Sequence, residues 1–289
     1  MKNYDIAIIG GGAAGLSAAI AAGSKNRSVV IFDHFGFIPR LRKQVVIQDY
    51  PGLPNITGSK LTKLFLEQAK TFNPTLIAEK VLSIDQEDVG FSITTPKNTI
   101  QATTIILANG SPKTTILQGE KDFIGRGISY CATYDMPKFK DKKIAVISTD
   151  PVDMNEIEAL AEVSSKVLLF PIYDMKRAKV VPKHKNIEIL NDFPKEITGT
   201  SKVTGIRTIS EAYFAIQGVF ILRESDPIDV LLPNLRLTGK YVMTYKHLAT
   251  NIPGIFAAGD CTGQPWHIAK AVGEGEVAAL GAINLLNKI

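Results

Sequence analysis

Residues 4–33, YDIAIIGGGAAGLSAAIAAGSKNRSVVIFD, decide the fold. Residues 5–9 are apolar after an acidic start and read as a buried strand. The run Gly10-Gly11-Gly12-Ala13-Ala14-Gly15 reads as a tight turn opening a small-residue helix, and residues 28–32 return as a second strand. This is a complete βαβ unit with the G-x-G-x-x-G spacing of a dinucleotide site. Gly10 permits the turn. Gly12 puts no side chain between backbone and pyrophosphate, and Gly15 lets the helix pack close to the strand. Ala13 and Ala14 stand at the helix start, whose free N–H groups point at the phosphates. Asp33 closes the second strand, where a carboxylate accepts hydrogen bonds from a ribose, and His34 follows it at the same rim.

The opposite end of the chain says which dinucleotide. Residues 251–260, NIPGIFAAGD, run into residues 261–275, CTGQPWHIAKAVGEG. Together they resemble the second FAD motif of the thioredoxin reductase family. The resemblance implies that Gly259 and Asp260 meet the ribityl–pyrophosphate region. It also implies that a helix starting at His267 and Ile268 aims its N-terminus at the flavin pyrimidine ring, where it favours negative charge. The competing reading is a NAD-binding domain with an unrelated tail, and motifs at both ends of the chain favour FAD.

At 289 residues the chain has the length for two domains, each with its own core. Hydrophobic residues make up 45% and charged residues 21%, the balance of an ordinary globular protein. Residues 6–22 have the apolarity of a signal sequence, but Asp5 and the dense glycines argue against one. No other apolar run is long enough to span a bilayer, so no membrane association is expected. Cys131 and Cys261 are the only cysteines, too few for a disulfide framework, and a cytoplasmic location is expected. The net charge of +5 is too small to imply nucleic acid. It stands open between a surface for an acidic protein partner and a merely basic solvated surface.

Between the two motifs, Asp49-Tyr50-Pro51-Gly52 and the later Gly58 resemble the family's N-Y-P-G…G-x-x-L segment, which implies a place alongside the flavin. The family's Gly-Gly-Gln ahead of it is missing. Arg40, Arg42 and Lys43 stand there instead, open to three readings: cofactor phosphates, a partner protein, or a solvated loop. Residues 59–72 have a helical period with Leu61, Leu64, Phe65 and Ala69 on one face, and residues 75–95 break into short strands. By resemblance Lys80 and Val81 lie against the adenine. Residues 103–110, TTIILANG, resemble the strand that closes the first FAD segment. Ala108, Asn109 and Gly110 then meet the cofactor, with Asn109 in place of the family's Thr.

Residues 111–119 read as a crossover into a middle domain that contains residues 127–135, GISYCATYD. The likeness to the family's C-A-T-C breaks at its last position. Cys131 stands in the place of the cysteine that attacks the substrate disulfide, and Tyr134 in the place of the cysteine against the flavin. Both are assigned to the catalytic site. Residues 143–170 repeat the strand, turn, helix and strand of the opening. The family binds NADPH here through G-x-G-x-x-A, but this turn, Ser148-Thr149-Asp150-Pro151-Val152-Asp153, has no glycine. Asp150 and Asp153 would repel a pyrophosphate, and Asp153 with Glu156 reads as a capping pair that consumes the free N–H groups. An NADPH site is therefore not expected. Lys176, Arg177, Lys179, Lys183 and Lys185 follow, read as a solvated face, a remnant 2′-phosphate site or a docking patch. None of His34, His184 and His247 has metal-ligand spacing and no metal is expected; Cys261 reads as a packing residue.

The expected fold is α/β, with two Rossmann-like three-layer dinucleotide-binding domains. The FAD domain is discontinuous, over residues 1–111 and 238–289, around a degenerate middle domain over 112–237. The whole chain resembles the pyridine-nucleotide-independent branch, the ferredoxin-dependent flavin thioredoxin reductases, which share A-A-G-D-C-T-G-x-P and K-A-V-G-E-G. The resemblance implies an FAD-dependent oxidoreductase supplied by ferredoxin or flavodoxin, and a homodimer. Three functions stand at this point: such an oxidoreductase without the dithiol, a disulfide reductase working through Cys131 alone, and a non-catalytic flavin-binding sensor or partner subunit.

Overall fold

The computed structural model describes residues 3–34, 37, 46–110, 117–130, 132–149, 151–175, 181–222 and 228–289. Two compact units divide the chain, residues 1–111 with 227–289 and residues 112–226.

The first unit opens with β1 (Asn3–Ile9), α1 (Ala13–Gly23) and β2 (Val29–Phe32). A small ribbon of β3 (Val46–Ile47) and β4 (Ile56–Thr57) precedes α2 (Gly58–Lys70). Next come β5 (Thr75–Ile77), β6 (Ser83–Gln86), β7 (Phe91–Thr94) and β8 (Thr99–Leu107). The second unit holds β9 (Ile128–Ser129), α3 (Ala132–Asp135), β10 (Lys143–Ser148), α4 (Met154–Val163) and β11 (Lys166–Pro171). It continues through β12 (Ile187–Ile189), β13 (Pro194–Gly199), β14 (Val203–Thr208), β15 (Tyr213–Ala215) and β16 (Gly218–Leu222). The chain then re-enters the first unit with α5 (Ile228–Leu231), β17 (Leu237–Thr238), β18 (Tyr241–Val242), β19 (Ile255–Ala257) and α6 (Ile268–Leu286).

The first unit is built on a sheet of order β5-β2-β1-β8-β7-β6, with β19 also paired to β8. Side chains of β1 alternate between two cores: Ile6 and Ile8 face α1 and α6, while Ala7 and Ile9 face the opposite layer. Both faces of a central parallel strand are covered in such a fold, so the strand reads as a continuous apolar run. Helix α1 is buried along Ala14, Gly15, Leu16, Ala18, Ala19 and Ala22, because it is wedged between this sheet and α6. Only small residues allow that approach. A Cβ on Gly275 would stand 2.2 Å from Ala14 O, and Ser17 Oγ donates to Val272 O at 2.7 Å. The closing helix starts at Ile268, as the second motif implies, and runs on through Gly275, which serves packing on α1 and does not interrupt it.

Two further details depart from the sequence reading. Leu64 of α2 is exposed although Leu61 and Ala69 on the same helix are fully buried. The return to the first unit comes at Pro227, earlier than residue 238, because Ile228, Leu232 and Leu235 are buried in its core.

The second unit repeats the parallel plan with order β12-β11-β10-β16-β9, beside a three-stranded sheet β13-β14-β15. Its two apolar clusters lie on opposite faces of β10, with Ala145 and Ile147 in one and Ile144 and Val146 in the other. No helix of the described residues is long and apolar enough to cross a membrane.

Candidate functional site

The parallel strands of the first unit end level. Ile9 is in register with Phe32 on one side and Leu107 on the other, and Leu107 with Ala257. Gly10, Asp33, Ala108 and Ala258 therefore emerge side by side at the carboxyl edge, where open α/β sheets take ligands. Backbone bonds of 2.8 Å stitch that edge: Gly10 N–H to Phe32 O, Ala108 N–H to Ile9 O and Ala258 N–H to Leu107 O.

The three motif glycines have different surroundings. Gly10 has φ +116°, and a Cβ there would stand 2.3 Å from Ala108 O. A Cβ on Gly15 would stand 1.9 Å from Gly10 O. Gly12 is the open one, because a Cβ there would meet nothing within 4 Å. It caps α1 in extended conformation with no side-chain cap, and the first turn of α1 has no acidic residue. The first helical hydrogen bond comes from Leu16 N–H to Gly12 O at 2.9 Å. The amides of Ala13, Ala14 and Gly15 precede it and point out of the helix end, the arrangement that receives an anion.

Asp33 is only 3% exposed. Its Oδ2 accepts from Gly11 N–H at 2.9 Å and its Oδ1 from Phe37 N–H at 3.4 Å. The carboxylate thus ties the glycine turn to the end of β2, a task that strand and turn signals do not announce.

The second motif forms a loop on α6. Gly259 and Gly263 turn with φ +87° and +118°, and Asp260–Thr262 make a 3-10 turn between them. Lys270 Nζ donates to Gly259 O (2.8 Å), Thr262 Oγ1 (2.8 Å) and Gly263 O (2.9 Å), and lies 3.1 Å from Glu274 Oε2. Glu274 Oε2 in turn accepts from Gly259 N–H at 2.8 Å and from Thr262 Oγ1 at 2.9 Å. A Lys–Glu pair at i, i+4 usually decorates a helix surface. Here both side chains are mostly buried and clamp the loop, and the sequence reading missed them. The loop also touches the first motif, since a Cβ on Gly259 would stand 2.9 Å from Ala14 Cβ.

His267 is the N-cap of α6 without a side-chain cap bond. Its Nδ1 lies 3.4 Å from Asp49 Oδ2, which brings the Asp49-Tyr50-Pro51-Gly52 segment beside the start of α6 and Ile268. The Tyr50 ring packs tilted on Phe65 with centroids 5.7 Å apart, and burial raises its phenol above the ordinary pKa. Cys261 is buried, its thiol donating to Ala258 O (3.3 Å) and Leu107 O (3.4 Å). Burial pushes its pKa to about 12, so it packs and does not act as a thiolate at neutral pH.

The remaining sequence-predicted residues are distributed as follows. His34, Asn109 and Asp260 are half-buried at the same carboxyl edge, and Gly110 turns at φ +76° with open space beside it. Lys80 is half-buried in the loop after β5, whereas Val81 is buried in the apolar core. Cys131 lies outside the described residues, as do Arg40, Arg42, Lys43, Asp150, Lys176, Arg177, Lys179 and the side chain of Tyr134. The backbone of Tyr134 belongs to α3. Among the described residues no group of three or more His, Cys, Asp or Glu is placed to hold a metal ion.

The second βαβ turn has a different construction. Pro151–Asp153 form a 3-10 turn that winds straight into α4. Asp153 has φ −66° and ψ −10° and makes no side-chain cap bond, so the expected capping pair with Glu156 does not form. Its carboxylate is buried and accepts from Ser148 Oγ at 2.7 Å. A side-chain cap needs an extended N-cap residue, and the 3-10 turn puts Asp153 in the helical region instead. Glu156 lies in the first turn of α4.

Fold and site together define a class, the two-domain dinucleotide-binding flavoproteins that act as FAD-dependent oxidoreductases. Residues 4–275 match the model of the pyridine nucleotide-disulphide oxidoreductase family, and the chain belongs to that family. It is 34% identical to the thioredoxin reductase of Aquifex aeolicus over 90% of this chain and 85% of that one. It is 30% identical to the thioredoxin reductase of Treponema pallidum over 99% and 98% of the two chains. Among solved structures, a ferredoxin-flavin thioredoxin reductase from Clostridium acetobutylicum superposes with a TM-score of 0.92 at 35% identity, covering 100% of this chain and 99% of that one. A thioredoxin reductase from Gloeobacter violaceus gives 0.84 at 25% identity over 99% and 95%. The protein is thus a thioredoxin reductase-like FAD oxidoreductase. The residues present fit FAD: Gly12 opens on free space, the uncapped start of α1 has no acid in its first turn, and the Gly259–Gly263 loop adjoins it.

Proposed function

We propose that this protein takes electrons from a ferredoxin or flavodoxin rather than from NADPH or NADH. It passes them onward without a C-x-x-C dithiol. The observation that carries this reading is the second βαβ turn. A nucleotide pyrophosphate needs a glycine-opened turn and free amides at a helix N-terminus. This turn has no glycine, Pro151 supplies no N–H, and Glu156 sets a negative charge in the first turn of α4. Similarity to the Clostridium acetobutylicum ferredoxin-flavin thioredoxin reductase supports the same donor class. A cytoplasmic homodimer completes the reading, supported by resemblance and by the small number of cysteines.

FAD supplies the electron-transferring chemistry when bound. In this reading Gly10, Gly12, Ala13, Ala14 and Gly15 receive its pyrophosphate, and Asp33 and His34 stand at the adenosine ribose. Lys80 and Val81 line the adenine, Ala108, Asn109 and Gly110 flank the cradle, and Gly259 and Asp260 meet the ribityl chain. His267 and Ile268 bring the N-terminus of α6 to the pyrimidine edge. Cys131 and Tyr134 occupy the reacting segment. A dithiol relay needs two sulfurs, and a phenol with an ordinary pKa near ~10 forms no disulfide. Retention of Cys131 favours a second reading, a disulfide reductase that works through one thiol and an external resolving thiol.

Anaerobic stopped-flow measurement with each reductant tests the proposal. Reduced ferredoxin at low salt should bleach the flavin within seconds, and NADPH and NADH at sub-millimolar concentration should not. Bleaching by either nucleotide at the ferredoxin rate would overturn it. Thioredoxin should not turn over with the unmodified protein, whereas Tyr134→Cys restores both sulfurs and should allow a flavin-linked disulfide. Thioredoxin turnover that disappears in Cys131→Ser would select the one-thiol reading.

A further inference from the structure

Strands β17 and β18 form a two-stranded ribbon next to the Gly259–Gly263 loop, and its two faces differ. The register pairs Leu237 with Val242 and Thr238 with Tyr241, and Met243 N–H donates to Arg236 O at 3.0 Å. Alternation along a strand then puts Leu237 and Val242 on one face and Arg236, Tyr241 and Met243 on the other. The first face is spent on the core, with Val242 buried and Leu237 packed beside it. The second face is turned outward, and it is extended on both sides by aromatic residues. Lys240 Nζ lies 5.5 Å from the Tyr241 ring centroid and 5.8 Å from that of Trp266. Tyr245 Oη reaches Met243 Sδ at 3.9 Å. Trp266 is 52% exposed and Tyr245 46%.

The charge on this segment has one sign. Between Asp229 and Asp260 the chain contains Arg236, Lys240 and Lys246 and not one Asp or Glu. All three cations are exposed. Exposed aromatic and Met side chains with Arg among them are the residues that concentrate in protein interfaces. Cations spaced around them select a partner rich in carboxylates and speed its arrival. The position also matters, because the Tyr241 ring stands 3.7 Å from where a Cβ of Gly263 would be. The face therefore borders the loop of the second dinucleotide motif.

From these features we propose that the outer face of the β17–β18 ribbon, with Lys240, Lys246, Tyr245 and Trp266, is the docking surface for the acidic electron carrier. This rests on the carrier reading given under Proposed function. Each encounter oxidises one reduced iron–sulfur cluster and delivers one electron, so two encounters, with protons from water, reduce the bound FAD fully. Attraction between exposed charges is screened beyond ~8–10 Å at physiological salt, so the face acts on encounter rate more than on the chemistry after docking.

The test uses the full FAD-loaded protein and a reduced bacterial two-[4Fe–4S] ferredoxin as the probe. The double variant Lys240→Glu/Lys246→Glu should lose roughly tenfold or more of the bimolecular reduction rate at low salt, since steering changes on-rates by ~10–10³. Its remaining rate should no longer fall as salt rises. Photochemical reduction of the flavin, which needs no docking, should be unchanged, as should the unfolding temperature. Trp266→Ala, with all charges kept, should weaken saturation by ferredoxin while leaving the salt dependence intact. Wild-type and double-variant proteins reduced at equal rates with equal salt dependence would overturn the docking face alone. A wild-type flavin that ferredoxin does not reduce would overturn the carrier reading and the docking face with it. A dimer that dissociates in the double variant at an unchanged reduction rate would assign the face to a second copy of the chain, and would also overturn the proposal.

Discussion

The two βαβ turns of this protein share one architecture and differ in what they leave open. In the first, Gly12 faces free space and the helix begins with bare amides; in the second, Pro151–Asp153 wind the helix start into a 3-10 turn. In the first unit Asp33, at the end of β2, braces the glycine turn through Gly11 N–H. In the second unit Ser148 Oγ donates to the carboxylate of Asp153, a residue of the turn itself. Strand order and packing survive in both units. In the reading proposed here, what separates a dinucleotide cradle from a structural copy is a handful of turn residues on sheets of the same parallel plan.

The sharpest way to break this comparison is to substitute the glycines of the first turn one at a time. Gly15→Ala puts a methyl 1.9 Å from Gly10 O. Backbone has to move, so loss of soluble folded protein, or a destabilisation at or above the ~1–3 kcal/mol typical of overpacking, is expected in thermal unfolding. Gly12→Ala meets nothing in the protein, so the apoprotein should melt as the wild type does while FAD affinity falls. Gly12→Asp adds an anion at the same place and should abolish FAD binding with the fold retained. Equal FAD affinity in wild type and Gly12→Ala, measured by flavin fluorescence, would show that the pyrophosphate does not pass over Gly12.

The Lys270–Glu274 clamp sharpens the comparison next, because it holds the Gly259–Gly263 loop that adjoins the first turn. Hydrogen bonds to a charged, largely buried group contribute about 1.5–3 kcal/mol. Lys270→Met should accordingly weaken FAD binding by roughly 10- to 100-fold, and Lys270→Arg should recover part of it. Unchanged affinity in Lys270→Met would mean that the Gly259–Gly263 loop holds its shape alone.

The smallest effect concerns Cys261. Burial raises its thiol pKa to about 12 in the folded chain, against ~8.5 when unfolded. Between those values the folded state binds the extra proton, so its contribution to stability falls as pH rises, by at most ~1.4 kcal/mol per pH unit. Urea unfolding of wild type against Cys261→Ser should show the two stability curves converging or crossing above pH ~8.5, and running parallel below it. Parallel curves up to pH ~10.5 would contradict the burial argument.

Much of the fold was legible because periodicity and glycine spacing are local signals. Residues 4–33 and 251–275 carried the strand, turn and helix pattern of each motif on their face, and the parallel pairing of β1 with β2 follows from βαβ logic. What stayed hidden depends on contacts between distant segments. Lys270 and Glu274 look like a surface helix pair until the loop folds back on them, and Gly11 has no visible partner until Asp33 arrives beside it. Asp153 departs from the sequence reading for a local reason: the Asp153-x-x-Glu156 pattern suits a cap, but Pro151 starts a 3-10 turn and takes Asp153 out of the extended conformation that capping needs. The early return at Pro227 was hidden because residues 228–235 have too few turns for a clear period.

The most direct measurement is the number of dinucleotides each chain holds. Apoprotein titrated calorimetrically with FAD should saturate at about one FAD per chain by the fingerprint of the first turn, and subsequent NADPH, NADH or further FAD should give no heat. A second equivalent of any dinucleotide, lost on substitution of residues in the 148–156 turn and retained in Gly12→Asp, would contradict the account.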